Sequence, residues 1–197
     1  MFRAGATIHE ALAGEPQGST ERFRVGVSGV VGRTTTTDFF SPMFDIDARI
    51  LSIRSGEAHD LLRELRDGGL ELVLIESEPP ASARTGLEVV RFDRPVLVAV
   101  TSPSAKAATD WANLGLVSLR SSTEFRWDVS AYLDARQLRP RIVAEADDVV
   151  FLIEAVTRDG YVAFLPHSIA RDAIKAGRLK VLATLRGSQA TVFAVYR

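Results

Sequence analysis

Residues 48–77 read ARILSIRSGEAHDLLRELRDGGLELVLIES, and residues 139–170 read RPRIVAEADDVVFLIEAVTRDGYVAFLPHSIA. The tripeptide Arg66-Asp67-Gly68 in the first stretch returns as Arg158-Asp159-Gly160 in the second, 92 positions on. At the same offset Arg49-Ile50-Leu51 maps onto Arg141-Ile142-Val143, Leu61 onto Ile153, and Val25 and Val27 onto Val117 and Leu119. A repeat of this kind fixes architecture before any motif is weighed. In the first stretch Ala58, Leu61, Leu62 and Leu65 stand at i, i+3, i+4 and i+7, the stripe of an amphipathic helix. Ser55 is placed to cap its start and Gly68 to end it in the left-handed region. The run at 70–76 that follows is almost wholly apolar, as a parallel strand covered on both faces requires. Strand, helix, strand, twice over, predicts an α/β protein with right-handed crossovers.

Working outward, the spacing predicts strands at 23–28, 86–92, 95–101, 115–119, 140–145, 178–184 and 190–196. Helices are expected near 33–43, at 123–137, from Asp147 or Asp148 to about 158, and at 167–176. The expected fold is α/β: two Rossmann-like βαβ subdomains with a hinge and a central cleft, of the type 2 periplasmic-binding-protein kind. Crossings are placed near 97–102 and 164–168. Residues 1–22 form a separate short helix and loop, residues 23–96 plus 169–197 the first subdomain, and residues 97–168 the second.

Composition narrows the function classes. A net charge of −1, with 24 basic residues scattered along the chain, gives no basic surface for nucleic acid or membrane. The absence of cysteine excludes disulfides, thiolate catalysis and Cys-based metal sites. The first residues hold no secretory h-region, and no stretch reaches the roughly 20 apolar residues of a membrane span, so a cytoplasmic chain is expected.

The chemistry-bearing residues are sparse. Gly26, Gly29 and Gly32 are spaced G-x-x-G-x-x-G, which is neither the dinucleotide fingerprint nor a P-loop, and a tight turn explains Gly29 better. His9, His59 and His167 have no second histidine at ligand spacing, so no metal is expected. No G-x-S-x-G elbow surrounds any serine, and neither an enzyme nor a cofactor is indicated. Four polar turns at predicted strand ends remain: Ser28-Gly29, Thr101-Ser102, Ser121-Ser122-Thr123 and His167-Ser168. Ligands of open α/β sheets bind beyond the carboxyl ends of the strands, where helix N-termini favour anions. The expected effector site is therefore Ser28, Gly29, Thr101, Ser102, Ser122, Thr123, Phe164 and His167, with Arg33 and Arg126 close enough in sequence to add charge. Each hydroxyl alone is equally well read as a helix cap.

The order of these pieces resembles the effector-binding domain of LysR-type transcriptional regulators. It is carried by FRVGVSGVV, the two stretches quoted above, the crossover PVLVAVTSPS and KAGRLKVL. Within that family RPRIVAEADDVVFLIEAV and the start FRAGAT look like the NhaR-like branch. Gly160 to Pro166 supplies the family's glycine-to-proline spacing in altered form, and Glu71 stands where the family usually has Asp. The resemblance implies a small, anionic effector in the cleft and no catalysis. Residues 1–22 become the tail of a linker helix, and DNA is contacted only through a winged helix-turn-helix that this chain does not contain. It also implies a homodimer, tetrameric in the intact regulator, pairing helix 33–43 and strand 48–53 with helix 123–137 and strand 140–145. A periplasmic-type solute-binding protein is the alternative of the same architecture.

Overall fold

The computed structural model describes residues 21–28, 39–41, 44, 49–105, 114–120, 123–187 and 191–197. The expected linker remnant at 1–22 and most of the helix at 33–43 lie outside them. Two compact bodies divide the chain, one of residues up to Asp93 plus Thr191–Arg197, the other Arg94–Ala190.

The first body is built on β1 (Glu21–Val27), β2 (Arg49–Ser55), β3 (Leu72–Ile75), β4 (Glu88–Asp93) and β10 (Val192–Tyr196), in the order β2-β1-β3-β10-β4. β1 pairs parallel with β2 and β3, whereas β10 runs antiparallel to β3 and β4. Helix α1 (Ala58–Arg66) buries Leu61, Leu62 and Leu65, joining Val73, Ile75, Phe193 and Val195 in one apolar cluster. Asp60 in its first turn and Arg66 in its last suit the helix dipole. Gly68 takes φ 79° just past the helix end, as the sequence predicts. Ser55 does not cap α1; it stays in β2, paired with Val27, and the cap position falls to Glu57 without a side-chain bond. On the other face Phe40 lies against Phe23 and Phe39, and Phe39 packs edge-on against Phe92 at 4.7 Å between centroids.

The second body repeats the plan. β5 (Leu97–Thr101), β6 (Gly115–Leu119), β7 (Arg141–Ala146), β8 (Tyr161–Pro166) and β9 (Lys180–Leu185) stand in the order β7-β6-β8-β5-β9. β6 is parallel to β7 and β8, and β5 is antiparallel to β8 and β9. Its helices are α2 (Thr123–Ala135), α3 (Val149–Val156) and α4 (His167–Lys175). Asp148 caps α3, accepting from the amides of Val150 at 2.8 Å and Phe151 at 3.4 Å. Leu152 and Val156 are its buried residues, whereas the predicted inward Val149 and Ile153 are half-buried.

Two sequence expectations need correction. The second crossing lies near residue 190, not at 164–168, so α4 and β9 belong to the second body. The reason is the seat of β5: Leu97 pairs with both Pro166 and Leu185, so β8 and β9 flank the same strand. The repeat register is also displaced. Buried Leu61 and Leu65 of α1 correspond to buried Leu152 and Val156 of α3, an offset of 91. Gly26, which faces α1 across Leu61, likewise matches Val117, which lines a hollow with α3 residues. From the last buried helix residue to the left-handed glycine the chain takes three positions in the first body, Leu65 to Gly68, and four in the second, Val156 to Gly160, which sets the offset of 92 at the two Arg-Asp-Gly tripeptides.

Candidate carboxyl-edge effector site

In each sheet the three parallel strands point their carboxyl ends to one edge. In the first body β1 ends at Val27 and turns at Ser28, whose amide donates to the Leu74 carbonyl at 2.8 Å. Gly56 donates to the Val27 carbonyl at 3.2 Å, so the ends of all three parallel strands are tied together. β10 begins and β4 ends at this edge, since Val192 pairs with Asp93. Glu76, just beyond β3, and Thr191, just before β10, are both buried there. The sequence reading missed both; the signal was a carboxylate placed directly after four fully buried apolar residues, Leu72 to Ile75.

The corresponding edge of the second body carries the start of α2 at Thr123 and the start of α4 at His167. Arg120 donates its amide to the Ala146 carbonyl at 2.7 Å, tying the ends of β6 and β7. His167 donates its amide to the Val96 carbonyl at 2.7 Å, which fixes the first turn of α4 to the segment entering β5. The His167 side chain is exposed, and no group of three or more metal-ligating side chains occurs among the described residues. Arg126 on α2 reaches Glu145 at 3.6 Å, and both are largely exposed. First-turn amides of a helix lack intrahelical acceptors and favour compact anions.

The predicted site residues are thus only partly brought together. Thr123 and His167 share one edge, and Ser28 holds the equivalent place in the other sheet. Gly29 and Ser122 lie outside the described residues. Thr101 and Ser102 sit at the opposite edge of the second sheet. β5 is antiparallel to β8, so its carboxyl end meets the amino end of β8: Thr101 pairs with Val162, and its hydroxyl donates to the Tyr161 carbonyl at 2.6 Å. Ser102 is also buried, and its hydroxyl donates to Asp159 at 2.6 Å. Ser104 donates to the same Asp159 oxygen, and these hydroxyls hold the carboxyl below the usual range. Phe164 lies within β8, buried beneath α2 with its ring 5.7 Å from that of Tyr132. It lines a hollow of about 130 Å³ with Phe125, Val129 and Leu133 of α2.

Comparison with known proteins identifies the family and the fold. The family model for the LysR substrate binding domain matches residues 16–197. No curated protein sequence matches the chain. Among solved structures, the bromide-bound regulatory domain of HypT from Salmonella typhimurium is similar at TM-score 0.70 and 13% identity, covering 93% of this chain and 89% of that one. The effector binding domain of QuiR in complex with shikimate gives TM-score 0.65 and 12% identity, with 89% and 86% covered. CbnR, a LysR family transcriptional regulator, gives TM-score 0.68 and 16% identity, with 99% of this chain and 68% of that one covered. At such identities the likeness to each structure is one of fold, and the family match over residues 16–197 carries the assignment. The chain belongs to the LysR substrate-binding domain family.

Proposed function

We propose that this domain senses a small anionic effector for a LysR-type transcription regulator, taking it at the carboxyl edges of its parallel strands and catalysing nothing. The observation that supports this most is the pair of helix starts at one edge of the second sheet, α2 at Thr123 and α4 at His167. Both direct first-turn amides at the edge where ligands of open α/β sheets bind. Ser28, with its amide already held by Leu74, places a hydroxyl at the equivalent edge of the first sheet. Two similar folds were solved with small molecules, bromide on HypT and shikimate on QuiR, consistent with compact anions as a class. The family assignment favours a regulator over a periplasmic-type solute-binding protein. In this reading DNA is contacted by another part of the intact regulator.

The test is a thermal-shift screen against small organic acids and inorganic anions. A hit raises the Tm of the wild type, and Thr123→Val loses most of that rise while keeping its unliganded Tm within a few degrees. Equal shifts in wild type and Thr123→Val would sink the assignment of the α2 terminus to the site.

A further inference from the structure

The second body carries a hollow of about 340 Å³ on its α3 face, between that helix and strands β6 and β7. Its walls are apolar: Val117, Val143, Ala144, Phe151 and Ala155. Glu154, Arg158 and Tyr161 form the polar part of the lining. Tyr161 opens β8, so this end of the hollow lies toward the amino edge of the sheet, away from Thr123 and His167.

The first body shows why the space exists. There Arg54 of β2 reaches Glu64 of α1 through two bonds of 2.7 and 2.8 Å, laying an ion pair from edge strand to helix. Arg54 pairs with Gly26, and its counterpart beside Val117 is Ala144; Glu64 corresponds to Ala155 at the offset of 91. Two alanines therefore replace the ion pair. The wall is further set by Gly115, where a β-carbon would come within 2.9 Å of Val143 Cγ1 and 3.1 Å of Tyr161 Cδ1. Phe151 remains half exposed beside the hollow.

The polar lining is unequal. Glu154 is paired with Arg178 at 3.0 Å, so its charge is balanced. Among the described residues the Arg158 guanidinium and the Tyr161 hydroxyl engage no partner, leaving one cation and one hydroxyl donor over an apolar chamber. We propose that this hollow is a second ligand site, taking a small carboxylic acid with a flat apolar body. The body would rest on Val117, Val143 and the two alanines, and Phe151 would close over it. The carboxylate would bond Arg158 and Tyr161, a charge-assisted contact of the strong kind. The volume falls at the small end of ligand pockets, which fits a single ring better than an extended molecule.

The probe is 4-fluorobenzoate, titrated into the full chain and followed by fluorine NMR. Saturable binding is expected, weakened about tenfold in Arg158→Gln, the loss expected from removing one charge-assisted contact. Ala155→Phe, which fills the chamber, should abolish it, with circular dichroism confirming the fold. Thr123→Val should leave it unchanged, which separates this site from the carboxyl edge. No saturable binding at millimolar probe, an unchanged affinity in Arg158→Gln, or binding lost in Thr123→Val would each overturn the proposal.

Discussion

Ser102 and Asp159 are bonded at 2.6 Å, hydroxyl to carboxylate, which joins the turn after β5 to the turn before β8. Asp159 gains a second hydroxyl from Ser104, and the positive charge of Lys180 acts on it in the same sense. Its carboxyl is held below its ordinary value chiefly by the Ser102 bond, then by Ser104. A depressed carboxyl contributes stability that is present above the unfolded-state pKa, about 3.9, and is lost as pH falls through the lower folded-state value. Asp159→Asn should therefore lower Tm at pH 7, and the gap from wild type should close as the pH is taken below about 4. A gap that stays constant down to pH 2.5 would mean the carboxylate charge contributes nothing.

Thr101 offers a cleaner separation of structure from binding. Its buried hydroxyl donates to the Tyr161 carbonyl at 2.6 Å, far from the edge that bears Thr123. Thr101→Val should cost about 1–2 kcal/mol in chemical denaturation, the cost of losing a buried hydrogen bond. The Tm rise caused by any effector hit should be unchanged. A variant of normal stability that no longer responds to the hit would return Thr101 to the binding residues.

Gly26 leaves no room for a side chain. A β-carbon there would lie 2.8 Å from Leu70 Cδ1 and 2.9 Å from Leu61 Cδ2, and both leucines are buried. Gly26→Ala should destabilise by about 1–3 kcal/mol through overpacking, read from the urea midpoint at unchanged slope. A neutral result would mean α1 can slide outward without loss.

The homodimer expected from the family resemblance can be tested at the edge strands. β2 and β7 end their sheets, and their exposed Ile50, Ile53 and Ile142, with Trp127 of α2, are large apolar side chains open to solvent. The wild type is expected to sediment as a dimer at high micromolar concentration. Ile53→Lys combined with Ile142→Lys should sediment as a monomer, since lysines on edge strands disfavour pairing with another chain. A monomeric wild type at that concentration would count against this contact.

Element type was legible because it is a local property. The leucine stripe of α1, the glycine at its end and the continuous apolar run of β3 each report their own environment. Strand direction and partner are not local. The run 97–101 is buried at every residue, and this burial is the same whether the strand runs parallel or antiparallel to β8. Thr101 and Ser102 end a strand, which from sequence alone places them at the effector edge, and the antiparallel pairing of β5 with β8 turns that end to the other edge. Phe164 misled for a related reason: an aromatic near a strand end reads alike under a helix or at a cleft, and only the α2 contact with Tyr132 decides it. The boundary error at 169 has the same origin, because β9 is an amphipathic strand whose sequence does not name its sheet.

The place of β10 has a consequence for synthesis. It is an interior strand of the first sheet, seated between β3 and β4, yet it follows every other described strand in sequence. Val73 must find Val195, 122 positions away, before β3 has its second neighbour. The second body, contiguous from Arg94 to Ala190, carries all its own strands and can close as soon as it leaves the ribosome. The first body begins earlier and finishes last. Without β10, strands β3 and β4 each keep an unpaired edge, and such edges are aggregation-prone.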